Sequence, residues 1–162
     1  MDAISRDLTG LEGKRIVVVE DDAILALILA DQLRATGATV LGPAPTVHYA
    51  MQLIGLGRRR LDGAVLDIHL HGKTVYELAD VLNDREVPFL FATATDRKTI
   101  PARFRHAPVL DKPVTPADLA NAVIKMVRRP RPMQVAVPLP PPVPDDPVTV
   151  FARVVARTLV SP

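Results

Sequence analysis

The sequence predicts a doubly wound α/β domain, a five-stranded parallel sheet with helices on both faces. Three observations lead there. Short apolar runs recur at 15–19, 38–41, 63–67, 88–92 and 108–111, and each is followed by a stretch with apolar residues at helical spacing. The third run, Gly63-Ala-Val-Leu-Asp67, has no polar alternation, as expected of a strand covered on both faces. Strands that alternate with helices build parallel sheets through right-handed crossovers.

The first strand, Arg15-Ile-Val-Val-Val19, is rich in β-branched residues and ends in Glu20-Asp21-Asp22. Asp22 is placed to cap a helix from Ala23 to Thr36, and Gly37 stands where a helix takes its left-handed C′ residue. The second strand, from Ala38 to Leu41 or slightly beyond, is stopped by Gly42-Pro43-Ala44-Pro45. Thr46 caps a second helix with an inner face of Val47, Ala50, Met51 and Ile54, ended by Gly55 and Gly57.

After the third strand, Thr74-Val-Tyr-Glu77 has the form of a capping box before a helix whose inner residues are Val75, Leu78, Ala79 and Leu82. Pro88-Phe-Leu-Phe-Ala92 is the fourth strand, with Thr93 at its end. The segment from Arg97 to Arg105 supports only one or two helical turns, because Pro101 interrupts anything longer. Pro108-Val-Leu-Asp111 is a short fifth strand leading into Lys112-Pro113. Thr115-Pro116-Ala-Asp118 then opens the last helix with an N-cap, a proline at N1 and an acid in the first turn; its inner face is Leu119, Ala122, Val123, Met126 and Val127.

The composition changes at Pro130. Residues 1–13 read as a leader, 14–128 as the α/β domain, 129–146 as a Pro-rich, extended linker and 147–160 as a short amphipathic helix. That helix carries Val148, Phe151, Val155 and Leu159 on one stripe and needs a surface to dock on, on this domain or in a homodimer.

The chain of 162 residues has no cysteine, which removes disulfide and thiolate chemistry. The first residues lack the apolar core of a signal peptide, and the longest apolar run, Ala23 to Ala30, is too short to span a bilayer. These features suit a cytoplasmic chain without a membrane segment. The net charge is +2, and its excess comes from Arg129, Arg131, Arg153 and Arg157 in the tail. Arg58-Arg59-Arg60 is one short cluster without interleaved aromatics, so no nucleic-acid partner is expected.

A parallel sheet gathers its strand ends at one edge. Here that edge collects Glu20, Asp21, Asp22, Asp67, Thr93 and Lys112. Two carboxylates about 4 Å apart repel by roughly 4 kcal/mol at an effective dielectric of 20, so a convergent trio calls for a cation. Hard oxygen ligands point to Mg²⁺. The same cation, an ammonium and a hydroxyl can together hold the oxygens of a transferring phosphoryl group. Asp67, on the middle strand, is placed to be the nucleophile. His69 and His71 read as loop residues, since two histidines without further ligands do not make a zinc site.

With Val-Val-Glu20-Asp21-Asp22, Val-Leu-Asp67, Ala92-Thr93-Ala94 and Asp111-Lys112-Pro113, the chain resembles the receiver domain of bacterial two-component response regulators over residues 14–128. The resemblance implies a flavodoxin/CheY-like sheet of order 2-1-3-4-5, with its site at the topological switch point. It implies Asp67 as phosphoacceptor and Thr93 and Lys112 as phosphoryl contacts. It further implies Mg²⁺ held by Glu20 through water, by Asp21 and Asp67 directly, and by the backbone carbonyl of His69, and a cis Lys112–Pro113 bond. The partner so implied is a sensor histidine kinase or a histidine phosphotransfer protein.

Phe91-Ala-Thr93 is similar to a single-domain subgroup marked by Phe-Ala-Thr-Gly-x-Tyr, from which Ala94-Thr95-Asp96 departs. Val109 stands where the family usually has a switch aromatic. The expected role is that of a stand-alone signalling protein, acting by protein contact or phosphate shuttling, and not a turnover enzyme. Two rivals are a Mg²⁺-dependent phosphohydrolase with an aspartyl-phosphate intermediate, and a degenerate receiver that serves only as an interaction module. The first lacks the usual Asp-x-Asp after strand one and any insertion long enough for a substrate cap.

Overall fold

The apolar runs pair side by side into one parallel sheet. The structure, a computed structural model, describes residues 10–56 and 60–128. Residues 1–9 of the leader, Arg58 and Arg59, the Pro-rich linker and the terminal helix lie outside the described residues. The strands are β1 (Arg15–Val19), β2 (Thr39–Ala44), β3 (Gly63–Leu66), β4 (His69–Leu70), β5 (Lys73–Thr74), β6 (Phe89–Thr93) and β7 (Val109–Asp111). The helices are α1 (Ala23–Ala35), α2 (Val47–Leu56), α3 (Tyr76–Asp84) and α4 (Pro116–Arg128).

The sheet order is β2-β1-β3-β6-β7, all parallel, while β4 and β5 form a separate two-residue antiparallel hairpin. Leaving the hairpin out of the count, this is the expected 2-1-3-4-5. Each sheet face carries its own core. Val17, Val19, Leu66, Phe89 and Phe91 pack under α2, α3 and the connection between β6 and β7. Ile16, Val18, Val65, Leu90 and Ala92 pack under α1 and α4. Alternate residues of β1, β3 and β6 thus face opposite helical layers, which explains why these central strands are apolar almost throughout.

Most elements form where the local signals place them. The Asp22 side chain accepts hydrogen bonds from the N–H groups of Ile24 and Leu25, and Gly37 has a φ of +90° after α1. Thr46 Oγ accepts from the N–H of Tyr49 at 3.1 Å, capping α2. Thr115 Oγ accepts from the N–H of Asp118 at 3.1 Å, capping α4. The 97–105 segment holds two 3₁₀ turns, Arg97–Thr99 and Ala102–Phe104, separated at Pro101.

Five expectations need correction. β2 runs through Gly42-Pro43 to Ala44 instead of stopping before them. Thr74 is not the cap of α3: it is consumed by β5, and the N-cap position is Val75, without a side-chain hydrogen bond. α2 ends at Leu56, one residue beyond Gly55, and Gly57 lies outside the described residues. Ala120 and Ile124 are buried on α4 alongside Leu119, Val123 and Met126, whereas Ala122 and Val127 sit at the margin of the packed face. Leu11, read as part of the leader, is fully buried under α4, and its N–H donates to the Thr36 carbonyl at 3.3 Å.

The β2 correction has a physical cause. Among the described residues β2 pairs only with β1, and an edge strand tolerates a proline that lacks the donor N–H. The register skips from Val17↔Leu41 to Val19↔Ala44, a bulge in which Gly42 takes a φ of +90°. The bulge brings the Ala44 carbonyl to the N–H of Glu20 at 3.0 Å, so it fixes the first acidic residue of the sheet edge. A Cβ on Gly42 would meet Ala44 N at 2.7 Å and Val18 O at 3.1 Å. Gly42→Ala should therefore destabilise the domain by about 1–2 kcal/mol or more from the left-handed backbone alone. Urea unfolding checks this; an unshifted midpoint contradicts the role given to the bulge.

Candidate functional site

The register aligns the C-terminal ends of the central strands. Val19 pairs with Leu66, Leu66 with Phe91, and Thr93 with Asp111, so the residues that follow emerge along one line. The N–H of Asp67 donates to the Val19 carbonyl at 2.8 Å, and the N–H of Lys112 to the Thr93 carbonyl at 3.1 Å. Strand pairing therefore continues one residue past the sheet and positions the Asp67 and Lys112 backbones. The Lys112–Pro113 bond is cis.

Three carboxylates converge there. Oxygens of Glu20, Asp21 and Asp67 all lie within 4.8 Å of one another. Glu20 and Asp67 are buried, at 2% and 8% exposure, and Asp21 is partly open to solvent. Asp22 does not join them, because its carboxylate caps α1. Lys112 reaches in from the end of β7, across β6, and its ammonium donates to Glu20 Oε2 at 2.7 Å and to Asp67 Oδ2 at 2.9 Å.

The electrostatics follow from this crowding. Burial pushes the Glu20 carboxyl above its usual range; the bond from Lys112 and the N–H of Asp22 oppose that rise, and the Asp67 charge adds to it. Burial also works against the Lys112 ammonium, but its bonds to Glu20 and Asp67 and their charges outweigh it and raise the lysine. The two partners of the 2.7 Å contact thus differ: the ammonium gains from it, while the carboxylate remains penalised by its surroundings. Asp21 is lowered, chiefly by the backbone N–H of His71, which donates to its Oδ2 at 2.8 Å.

That last contact was not expected from the sequence. The β4–β5 hairpin turns at His71 (φ 49°) and Gly72 (φ 78°), both in the left-handed region that two-residue hairpin loops favour. The turn aims the His71 N–H at Asp21, while the imidazole Nδ1 stands 3.7 Å away and is largely exposed. His-Gly between two short β-prone pairs was the available signal. His69 occupies β4, opposite Thr74, with its side chain outside the core.

Thr93 is fully buried, and its hydroxyl is engaged within its own loop. It donates to Thr95 Oγ at 3.0 Å and accepts from the Thr95 N–H at 3.2 Å. In the sequence Thr95 is only part of the departure from the Phe-Ala-Thr-Gly-x-Tyr motif. Arg97, four residues after Thr93, bonds Asp111 and the Val109 carbonyl, and carried no sequence signal at all. Val109 itself is half-buried against the core that contains Phe91 and Phe104.

Comparison with known proteins places this geometry. No model of a known protein family matches the chain. The transcriptional regulatory protein PdtaR of Mycobacterium tuberculosis is 27% identical over 120 residues, covering 72% of this chain and 58% of PdtaR. The chain thus spans a little over half the length of the curated relatives it matches. Among solved structures, SdrG from Sphingomonas melonis is 33% identical with a TM-score of 0.61, over 72% of this chain and 98% of SdrG. The receiver domain of HemR from Leptospira biflexa is 26% identical with a TM-score of 0.61, over 74% of this chain and 98% of that domain.

Among the described residues Lys112 is the one ammonium that hydrogen-bonds this carboxylate cluster, through Glu20 and Asp67. In Lys112→Met, Glu20 would stay buried beside Asp67 without a cationic partner, and its carboxyl would rise further. The folded state then holds a proton that the unfolded chain has released, so stability falls as pH rises through the folded-state pKa and recovers below it. The variant should lose about 2 kcal/mol at neutral pH in EDTA, less than the 3–5 kcal/mol typical of a fully buried broken pair because Lys112 is partly exposed. The deficit should shrink in melts near pH 5. A pH-independent deficit would mean that Lys112 acts by packing alone.

Proposed function

The chain belongs to the response-regulator receiver family, and on that premise we propose that it accepts a phosphoryl group on Asp67 from a phosphohistidine. The donor is a sensor histidine kinase or a histidine phosphotransfer protein, and the reaction takes place in the cytoplasm. The observation that carries the proposal is the Lys112 ammonium 2.9 Å from Asp67 inside an otherwise carboxylate-only cluster, with Thr93 on the adjoining strand.

The donor set fits Mg²⁺: three carboxylate oxygens within 4.8 Å, and no thiolate or imidazole among the clustered ligands. Glu20, Asp21, Asp67 and the carbonyl of His69 are the residues proposed to hold it. When bound, Mg²⁺ supplies the positive charge that allows an anionic phosphoryl group to approach these carboxylates.

The residues of the chain divide the remaining tasks. Lys112 engages Asp67 Oδ2, which leaves Oδ1 to attack phosphorus. A P–O bond forms as the P–N bond of the phosphohistidine breaks, its electron pair going to the imidazole nitrogen. The Lys112 ammonium then exchanges a carboxylate oxygen for a phosphoryl oxygen. The Thr93 hydroxyl gives up its bond to Thr95 to donate to another. Hydrolysis reverses the state: water attacks phosphorus, the bond to Asp67 breaks, and inorganic phosphate leaves.

A protein donor is supported by the surface next to the cluster. Directly after Asp22, α1 exposes Ile24 (74%), Leu27 (55%) and Ile28 (47%) at i, i+3 and i+4. A stripe of that kind beside a charged pocket suits a helical partner that delivers its phosphohistidine to Asp67.

Incubation with a small-molecule phosphodonor and Mg²⁺ should label wild type with an acid-stable, hydroxylamine-labile phosphate. Asp67→Asn should take none, and Thr93→Ala should label about 100–1,000-fold more slowly, the usual cost of removing a preorganised donor to developing charge. Equal labelling of Asp67→Asn would sink the proposal. Steady turnover of a phosphomonoester would favour a phosphohydrolase instead.

A further inference from the structure

We infer that Arg97 is a positioning residue for the phosphoryl site, tying the Thr93 loop to the strand that delivers Lys112; the inference rests on the phosphoryl-acceptor reading. β7 is three residues long and pairs with β6 alone, yet it must present an ammonium to buried carboxylates at 2.7 and 2.9 Å. Its other edge has no sheet partner among the described residues. Arg97 takes that place: its Nη2 donates to the Val109 carbonyl at 2.8 Å and to Asp111 Oδ2 at 2.9 Å, and its Nε to Asp111 Oδ1 at 3.4 Å. One planar fork therefore grips both the backbone and a side chain of β7, a geometry open to arginine but not to lysine.

Both ends of this clamp adjoin site residues. Asp111 immediately precedes Lys112, and Arg97 follows Thr93 by four residues. The intervening loop is closed on itself: Thr93 and Thr95 exchange two hydrogen bonds, and Asp96 caps the turn that carries Arg97, accepting from the Lys98 N–H at 2.9 Å. The Lys112 N–H donates to the Thr93 carbonyl at 3.1 Å and completes the ring. The ring therefore couples the position of the Thr93 loop to that of Lys112. An independent approach of either residue to a phosphoryl group on Asp67 requires the ring to open.

The clamp is more than half exposed on both sides, at 58% and 66%, so it adds little to global stability. Its removal should show as mispositioning and not as unfolding. Local anchoring of the connection comes instead from Ile100 and Phe104, which are buried.

The experiment uses the full chain, Mg²⁺ and a small-molecule phosphodonor. Arg97→Ala should lower the rate of Asp67 labelling about three- to tenfold, the usual range for a residue that acts through others, while its melting temperature and Mg²⁺ midpoint stay at the wild-type values. Asp111→Asn should give the same loss, the double variant no more, and Arg97→Lys only partial recovery. A wild-type rate in Arg97→Ala, multiplying losses in the double variant, or a rate loss matched by a fall in melting temperature overturns the inference. Wild type that takes no label would sink the phosphoryl-acceptor reading instead. The clamp is then judged by amide hydrogen exchange at Lys112, which Arg97→Ala should accelerate; unchanged protection there overturns it.

Discussion

Three carboxylate oxygens within 4.8 Å, two of the groups buried, set the terms for the rest of this domain. Such an arrangement is unfavourable by itself: each pair repels, and burial removes the water that would screen them. The chain offsets the cost with one ammonium, Lys112, and with backbone donors from Asp22 and His71. Three carboxylates still face a single ammonium among the described residues, and burial keeps the Glu20 carboxyl above its usual range. A site left short of positive charge in this way is predisposed to bind a cation and, with it, an anion, which is what phosphoryl acceptance needs.

The parallel sheet meets that demand because it brings distant residues to one edge without long loops. Glu20 follows β1, Asp67 follows β3, Thr93 ends β6 and Lys112 follows β7, and hydrogen bonds past the strand ends hold their backbones. Two irregularities refine the result. The bulge at Gly42 brings the Ala44 carbonyl to the Glu20 N–H, and the left-handed His71-Gly72 turn brings an N–H to Asp21. Both lie next to the charged cluster, as expected where local backbone cost is met by a specific contact.

What was legible in the sequence is what periodicity and short-range capping encode. The strand runs, Asp22, Thr46 and Thr115 follow from residue spacing alone, and with the strands in place the edge residues follow from topology. Thr74 is ambiguous in the sequence because a capping box and a hairpin strand use the same threonine, and only the pairing of His69 with Thr74 decides between them. The end of β2 is hidden in the sequence because Gly-Pro usually breaks a strand; its edge position, which excuses the proline, is a property of the whole sheet. Arg97 and Thr95 were out of reach for another reason. Their bonds join loop residues to one another or to an edge strand, and such contacts leave no periodic trace.

The central claim is that the carboxylates, Lys112 and Thr93 form one phosphoryl-binding unit. Amide NMR of the labelled full chain, titrated with Mg²⁺ and then with beryllofluoride as a phosphoryl mimic, tests it most directly. The account predicts that Thr93, Lys112 and Arg97 shift together, only when both additions are present, and not at all in Asp67→Asn. Shifts that appear without Mg²⁺, persist in Asp67→Asn, or leave Lys112 and Thr93 unmoved would contradict it.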